Sequence, residues 1–247
     1  LTVNNAAGLT TTATTVVWLS RTFDTVDFAV PTIAGGTICP DGTVFDNYCG
    51  TDTYPVEYAP VGSTRFAPVD PANPTYPGNR INQQLASWNT RGVVDGNYQI
   101  RATGTNVCDH TLTTSHTLTI DNTAPIAVIS TPMNCATIRP GTIRIAGTAT
   151  DANFGAWTLQ YTGGDAHGWV TITSGIGPIV GGTLANWNTM GLRLCDYTIR
   201  LVVTDTAVID CWGGAHNRSE YTVSFRLGCP ADVDDGSGVG TPDGGVT

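Results

Sequence analysis

The feature that most constrains this chain is a repeat. Leu85-Ala-Ser-Trp-Asn-Thr-Arg-Gly recurs as Leu184-Ala-Asn-Trp-Asn-Thr-Met-Gly, and the match runs on without a gap into Tyr98-Gln-Ile-Arg and Tyr197-Thr-Ile-Arg. Upstream, Glu57-Tyr58 answers Gln160-Tyr161, and Phe66 falls where Trp169 does. Further back, Tyr48-Cys-Gly-Thr is set against Ile145-Ala-Gly-Thr. The spacing between blocks drifts by a few residues, as loop insertions cause. Self-similarity of this kind means two copies of one domain. The expected organisation is an arm over 1–27, one copy over 28–122, a second over 123–229, and a tail over 230–247.

Each copy reads as antiparallel strands. In the segment from Tyr197 to Asp205, the residues Tyr197, Ile199, Leu201 and Val203 alternate with Thr198, Arg200 and Val202. A period of two is the signature of a half-buried strand. Thr142-Ile-Arg-Ile-Ala-Gly and Trp157-Thr-Leu-Gln-Tyr alternate in the same way. Tyr221-Thr-Val-Ser-Phe-Arg-Leu closes the second copy as Thr117-Leu-Thr-Ile closes the first. Short β-branched runs punctuated by Gly and Pro, at about seven strands per ~100 residues, predict two tandem Ig-like or fibronectin-III-like β-sandwiches. Trp88 and Trp187 are read as core plugs, because each stands just before a strand at the same place in its copy. The competing reading makes them platforms for sugar rings. The first copy is expected to carry insertions at 39–49 and 70–80.

Charge narrows the function. The net charge is −9, and all eleven cationic residues are arginine. Phosphate neutralisation needs a basic stripe, so nucleic acid is excluded as a partner, and an anionic membrane surface with it. No apolar run is long enough to insert in a membrane as a helix. His110, His116, His167 and His216 are the only histidines. Asp109-His110 and Asp165-Ala-His167 have the composition of base–orienter pairs. Neither recurs in the other copy, and no nucleophile motif or phosphate-cradling loop accompanies them. The expectation is a chain that is not an enzyme.

Seven cysteines are spread along the sequence without CxxC or zinc spacing. In an acidic, β-rich chain they predict disulfides and an oxidising, extracellular or cell-surface location. Cys135 and Cys195 both belong to the second copy and have no counterparts in the first, so they are expected to pair. Proximity suggests Cys39 with Cys49 and Cys211 with Cys229, leaving Cys108 over; connectivity is not fixed by sequence. Asn217-Arg-Ser219 is a single glycosylation sequon.

The two ends differ from the body. Leu1-Thr-Val-Asn-Asn resembles Leu118-Thr-Ile-Asp-Asn, the last strand of the first copy. An extended apolar strand of this kind is expected to close a preceding domain or to complete a sheet in a neighbouring subunit by strand addition. At the other end Asp232, Asp234, Asp235, Gly236, Ser237 and Asp243 have the carboxylate and glycine content of a calcium loop. That tail resembles the start of the dockerin-like Asp/Gly motif found at the C-termini of large extracellular proteins of planctomycete-type bacteria. The body resembles the Ig-like repeats of the same proteins, with Asn-Thr-Ala-Pro junctions and Trp-Asn-Thr and Tyr-Thr-Ile-Arg strands. The resemblance implies export, and makes Asp232, Asp234 and Asp243 the calcium ligands, although the second half of the motif is absent.

The expected function is a non-catalytic extracellular structural module, a cell-surface or filament subunit, that needs no cofactor and associates with itself or with neighbouring domains of a longer protein. The alternatives are a carbohydrate-binding or spacer module of a secreted hydrolase, with polysaccharide as partner, and an adhesin domain.

Overall fold

The computed structural model describes residues 2–14 and 22–228. Every regular element among them is a β-strand, and they fall into two compact units. Unit 1 takes the chain up to Asn122 together with Val208–Gly214; unit 2 takes Thr123–Ala207 and the chain from Ala215 onward. The short return of 208–214 to unit 1 departs from the expected organisation, in which 123–229 is one copy.

The N-terminal arm is a hairpin rather than one extended strand. Thr2–Asn4 (β1) pairs with Thr10–Thr12 (β2), placing Val3 opposite Thr11. The turn is made by Asn5, whose side-chain oxygen accepts the N–H groups of Ala7 and Leu9. Asparagine makes such turns because its side chain imitates a backbone carbonyl. The fold-back uses one edge of the strand expected to be free. Residues 15–21 of the arm lie outside the described residues.

Unit 1 contains β3 (Thr25–Ala29), β4 (Ile33–Ala34), β5 (Thr37–Ile38), β6 (Asp41–Phe45), β7 (Thr51–Tyr54), β8 (Val56–Pro60), β9 (Ala67–Pro68), β10 (Tyr76–Pro77), β11 (Arg80–Gln84), β12 (Trp88–Asn89), β13 (Gly96–Asn106) and β14 (Thr111–Ile120). One layer runs β11-β6-β3, with β12 paired to β5. The other has β7 and β8 on one side of β13 and β14 on its other side; β4 joins β14 in parallel. Many strands here are short because prolines divide them. Pro40 separates β5 from β6 and Pro55 separates β7 from β8, and proline offers no N–H to a ladder.

Unit 2 shows the same plan with longer strands: β15 (Ile126–Thr131), β16 (Thr137–Ile138), β17 (Thr142–Thr150), β18 (Phe154–Gly163), β19 (Ala166–Gly175), β20 (Ile179–Asn188), β21 (Asp196–Val208) and β22 (His216–Leu227). One layer is β15-β17-β20. The other is β22-β21-β18-β19, with β16 parallel to β22. Two antiparallel layers, with a short parallel strand beside the last one, is an Ig-like sandwich in each unit.

Each unit has its own core, drawn from both of its layers. The alternation seen in the sequence is the alternation of burial: Tyr197, Ile199, Leu201 and Val203 are all buried. Pairing also corrects one proposed equivalence. Trp88 lies opposite Ile38 on β5, and Trp187 lies opposite Ile143 on β17. Ile38 therefore answers Ile143, and the match of Tyr48 to Ile145 fails: Tyr48 is 59% exposed in a loop whereas Ile145 is 0% exposed in a strand. Residues 41–45 are likewise a core strand and not an insertion. The break at Cys39-Pro40 had displaced the reading.

Candidate functional site

The repeated Trp-Asn-Thr motif is structural in both units. Trp88 is 1% exposed and Trp187 8%. Around them stand two copies of one aromatic cluster. The Tyr58–Trp88 centroids are 4.5 Å apart and Tyr161–Trp187 are 4.7 Å apart; Trp88–Tyr98 and Trp187–Tyr197 meet edge to face at 76° and 77°. Such edge contacts add to the burial term itself. The asparagine tightens the turn, Asn89 accepting from Arg91 N and Asn188 from Met190 N. The threonine ties the turn to an early glycine: Thr90 N and Oγ1 donate to Gly36 O, and Thr189 N and Oγ1 to Gly141 O. Finally Tyr98 donates its hydroxyl to Val94 O at 2.8 Å, and Tyr197 to Arg193 O at 3.0 Å. Burial, with the Cys195 thiol beside it, pushes the Tyr197 phenol up to about 12, so it remains a donor. These rings offer no face to a ligand.

The outer faces also repeat. Arg101 stacks on Phe66 at 3.7 Å and pairs with Glu57 at 2.8 Å. Arg200 stacks on Trp169 at 4.1 Å and donates to Gln160 at 2.8 Å. The alignment of Glu57 with Gln160 and of Phe66 with Trp169 is thereby a spatial one.

The disulfides depart from expectation. Cys39 is bonded to Cys211, and Cys49 to Cys108. The pairings Cys39–Cys49 and Cys211–Cys229 are therefore corrected, and Cys108 is not left over. Cys229 lies outside the described residues. Cys135 and Cys195 are free thiols, the first exposed and the second half-buried. The registers explain why. Cys135 N donates to Ser224 O, and Cys195 O accepts from Leu227 N, on opposite edges of β22. That separation is about two strand spacings across and about three residues along. A disulfide bridges Cα atoms only about 4.4–6.8 Å apart.

The Cys49–Cys108 bond closes one end of unit 1 over a polar knot. Asp46 is 2% exposed. Its Oδ1 accepts from Tyr48 N and Cys49 N, and its Oδ2 accepts from Asn106 Nδ2 at 3.1 Å. Asn106 Oδ1 in turn accepts from Cys108 N and His110 N. Burial pushes the Asp46 carboxyl up, but the donors Asn106, Cys49 and Tyr48 together outweigh it and hold the group below the ordinary carboxylate value.

Unit 2 has a different answer at the same place. The registers that match Gly36 with Gly141 and Tyr98 with Tyr197 bring Asp46 level with Asp151, and Asn106 level with Asp205. The carboxylate oxygens of Asp151 and Asp205 lie within 4.8 Å. Two carboxylates that close need a donor or a cation between or beside them. Asn217 Nδ2 supplies a donor to Asp205 Oδ2 at 2.8 Å. The amide to which a sugar would be attached is thus engaged inside unit 2.

The other disulfide presents a tryptophan. Within unit 1, Gly35 N donates to Val208 O and Thr37 N to Ile209 O, and Cys39–Cys211 completes the clamp. Gly36 is required there: its φ is +59°, and a Cβ would stand 2.6 Å from Ile209 O. Asp210 Oδ1 accepts from Trp212 N at 3.2 Å and Gly214 N at 3.1 Å. Trp212 is 88% exposed on this fixed loop. A cleft of about 250 Å³ lies beside it, bounded by Pro31, Ile38, Asp210, Cys211 and the indole. Sequence reasoning passed over Trp212 because it has no partner in the other copy. Its one signal was position, a tryptophan between a cysteine and two glycines outside any alternating run.

His116 packs edge-on against Phe28 at 4.7 Å. His216 Nδ1 contacts Ala207 O at 3.1 Å. His110 is part of the Asn106 turn. The proposed calcium ligands Asp232, Asp234 and Asp243 lie outside the described residues.

No family model and no curated protein matches the chain. Among solved structures it is similar to a tetra-tandem repeat in the extending region of a large adhesion protein, with a TM-score of 0.35 and 19% identity over 81% of this chain. The match spans 48% of the chain in that structure. It is also similar to chicken CNTN1 FN1-FN3 domains, with a TM-score of 0.44 and 11% identity over 92% of this chain and 76% of that one. Fibronectin(III)-like modules of Clostridium thermocellum CbhA give a TM-score of 0.39 and 13% identity over 81% of this chain and 94% of that one.

Proposed function

We propose that this chain is a non-catalytic extracellular module, structural or adhesive, whose two Ig-like units serve as a scaffold for presented loops. One observation carries the reading. The residues that repeat are consumed in packing, identically in both units, while what differs is loop chemistry stapled by disulfides in unit 1. Disulfides of this kind persist in oxidising compartments, which supports a secreted or cell-surface location. Adhesive modules work by holding loops at fixed positions on a rigid sandwich. Membership of a longer surface protein or filament, and self-association through the N-terminal hairpin, are finer parts of the same reading. Calcium at Asp232, Asp234 and Asp243 is another.

The test is to fractionate and immunolabel the producing cells, and to image native material by electron microscopy with and without residues 1–20. Surface or medium location with intact disulfides supports the reading. A reduced, cytoplasmic protein overturns it. Polymers that persist undiminished after the deletion overturn assembly through the arm.

A further inference from the structure

We infer that the Trp212 loop is a binding site for a pyranose unit of an uncharged polysaccharide. The assignment rests on the adhesive reading above and names its ligand class. Three observations converge on one place.

The first is exposure without freedom. A tryptophan left 88% exposed forgoes the burial that normally dominates its energetics. Exposure of that kind is ordinary on a loose loop. This loop is held by a disulfide, two backbone hydrogen bonds to 35–37 and a side-chain cap from Asp210. The indole is therefore presented, and its ordering has been settled before any ligand arrives.

The second is the shape and size of the neighbouring space. The cleft of about 250 Å³ falls below the ~300–1,000 Å³ typical of drug-sized ligands. It suits a single ring with the rest of a chain outside. Pro31, Ile38, Val208 and the disulfide supply the apolar part of its lining.

The third is the charge. Among the described residues, Asp210 is the only ionisable group at the cleft apart from the bonded cysteines, and no cation lines it. Its Oδ1 is used by the loop backbone, while Oδ2 makes no hydrogen bond among the described residues. A free carboxylate oxygen beside an aromatic face accepts from hydroxyl groups and repels anions. The ligand that fits has polarised C–H bonds on one face, to meet the negative face of the indole, and hydroxyls at its rim. That is a neutral sugar ring. A phosphate, a sulfated glycan or a polyuronate meets only repulsion, from Asp210 and from a chain of net charge −9.

The test uses the full chain with its disulfides intact. Depletion binding is measured on cellulose, chitin, xylan, mannan and starch, with Trp212→Ala, Trp212→Tyr, Asp210→Asn and the exposed-aromatic control Tyr48→Ala. The expected result is retention of the wild-type chain on at least one of these polymers. Trp212→Ala weakens it at least tenfold, Trp212→Tyr keeps part of it, Asp210→Asn weakens it severalfold, and Tyr48→Ala leaves it unchanged. Thermal unfolding of Trp212→Ala matches wild type, since the side chain packs little. Failure of the wild-type chain to bind any of the five overturns the assignment, as does equal binding by Trp212→Ala. Attachment of producing cells to surfaces, measured in parallel, separates the two claims. Trp212-dependent attachment without glycan binding leaves the adhesive reading standing and overturns the sugar; glycan binding by a chain retained in the cytoplasm does the reverse.

Discussion

The two units solve one structural problem in two ways. At the end where β6 and β13 finish, unit 1 joins the loops covalently by Cys49–Cys108 and by the Asn106 amide donating to the Asp46 carboxylate. At the matching end of unit 2, where β17 and β21 run out, there is no disulfide among the described residues. A second carboxylate, Asp205, stands where unit 1 has an amide, and Asn217 from β22 supplies a donor. The cores behind these ends are nearly superimposable in their aromatic geometry. The lesson is that the core defines the domain, whereas the loop ends are free to diverge once that core is secure.

That comparison can be broken or sharpened by mutation. The largest effect is expected from truncating the shared core. Trp88→Ala and Trp187→Ala each cost about 3–5 kcal/mol in their own unit. Hydrogen exchange with mass spectrometry, read unit by unit, checks that the two losses are alike; a difference of more than about half would mean that the clusters are alike only in appearance.

Next comes the staple. Cys49→Ser with Cys108→Ser removes a loop of 59 residues' separation and is expected to cost unit 1 about 2–4 kcal/mol. Exchange protection in unit 2 stays as it was. If protection in β13 were unaltered, the polar knot alone would be sufficient to hold the loops.

A smaller effect belongs to Asp46. Its carboxyl is held below its ordinary value of 3.8. Its contribution is therefore present in full above that value and lost as pH falls through the lower native one. Asp46→Asn puts an amide against the Asn106 amide, and is expected to cost about 1–2 kcal/mol at pH 6. Urea midpoints of unit 1 should differ between variant and wild type at pH 6, and converge near pH 2.

The smallest change is at Asp205. Asp205→Asn gives unit 2 the amide that unit 1 has. In metal-free buffer it relieves the contact with Asp151 but leaves Ala207 N or Asn217 Nδ2 without its acceptor, so unit 2 is expected to shift by less than about 1 kcal/mol. A larger loss in the same urea titration would mean that these donors need the charge they now face.

Much of the core was legible in the sequence. The period-two runs at Tyr98 and Tyr197, the duplicated tryptophans and the pairing of Phe66 with Trp169 are local patterns, and local patterns survive folding. The misreadings have a common cause. Which cysteines meet depends on where loops from distant strands arrive, so spacing favoured Cys39 with Cys49 although they stand beyond opposite ends of β6. The joint absence of Cys135 and Cys195 from the first copy looked like a bonded pair, yet β22 runs between them. Tyr48 falls level with Ile145 in the sequence because Pro40 divides the true strand in two. Trp212 was missed for the opposite reason. Repetition marks what both units need, and this residue belongs to only one.

The Cys39–Cys211 bond has a mechanical consequence. Its sequence separation is 172 residues. A pull applied on either side of that loop passes through the sulfur atoms and bypasses everything between them. Fully drawn out, that withheld length is roughly 600 Å, at about 3.5 Å per residue. While the bond stands, neither unit can be unravelled end to end by tension, and the slack becomes available only on reduction. The staple sets how far the chain can give under tension before a covalent bond must break.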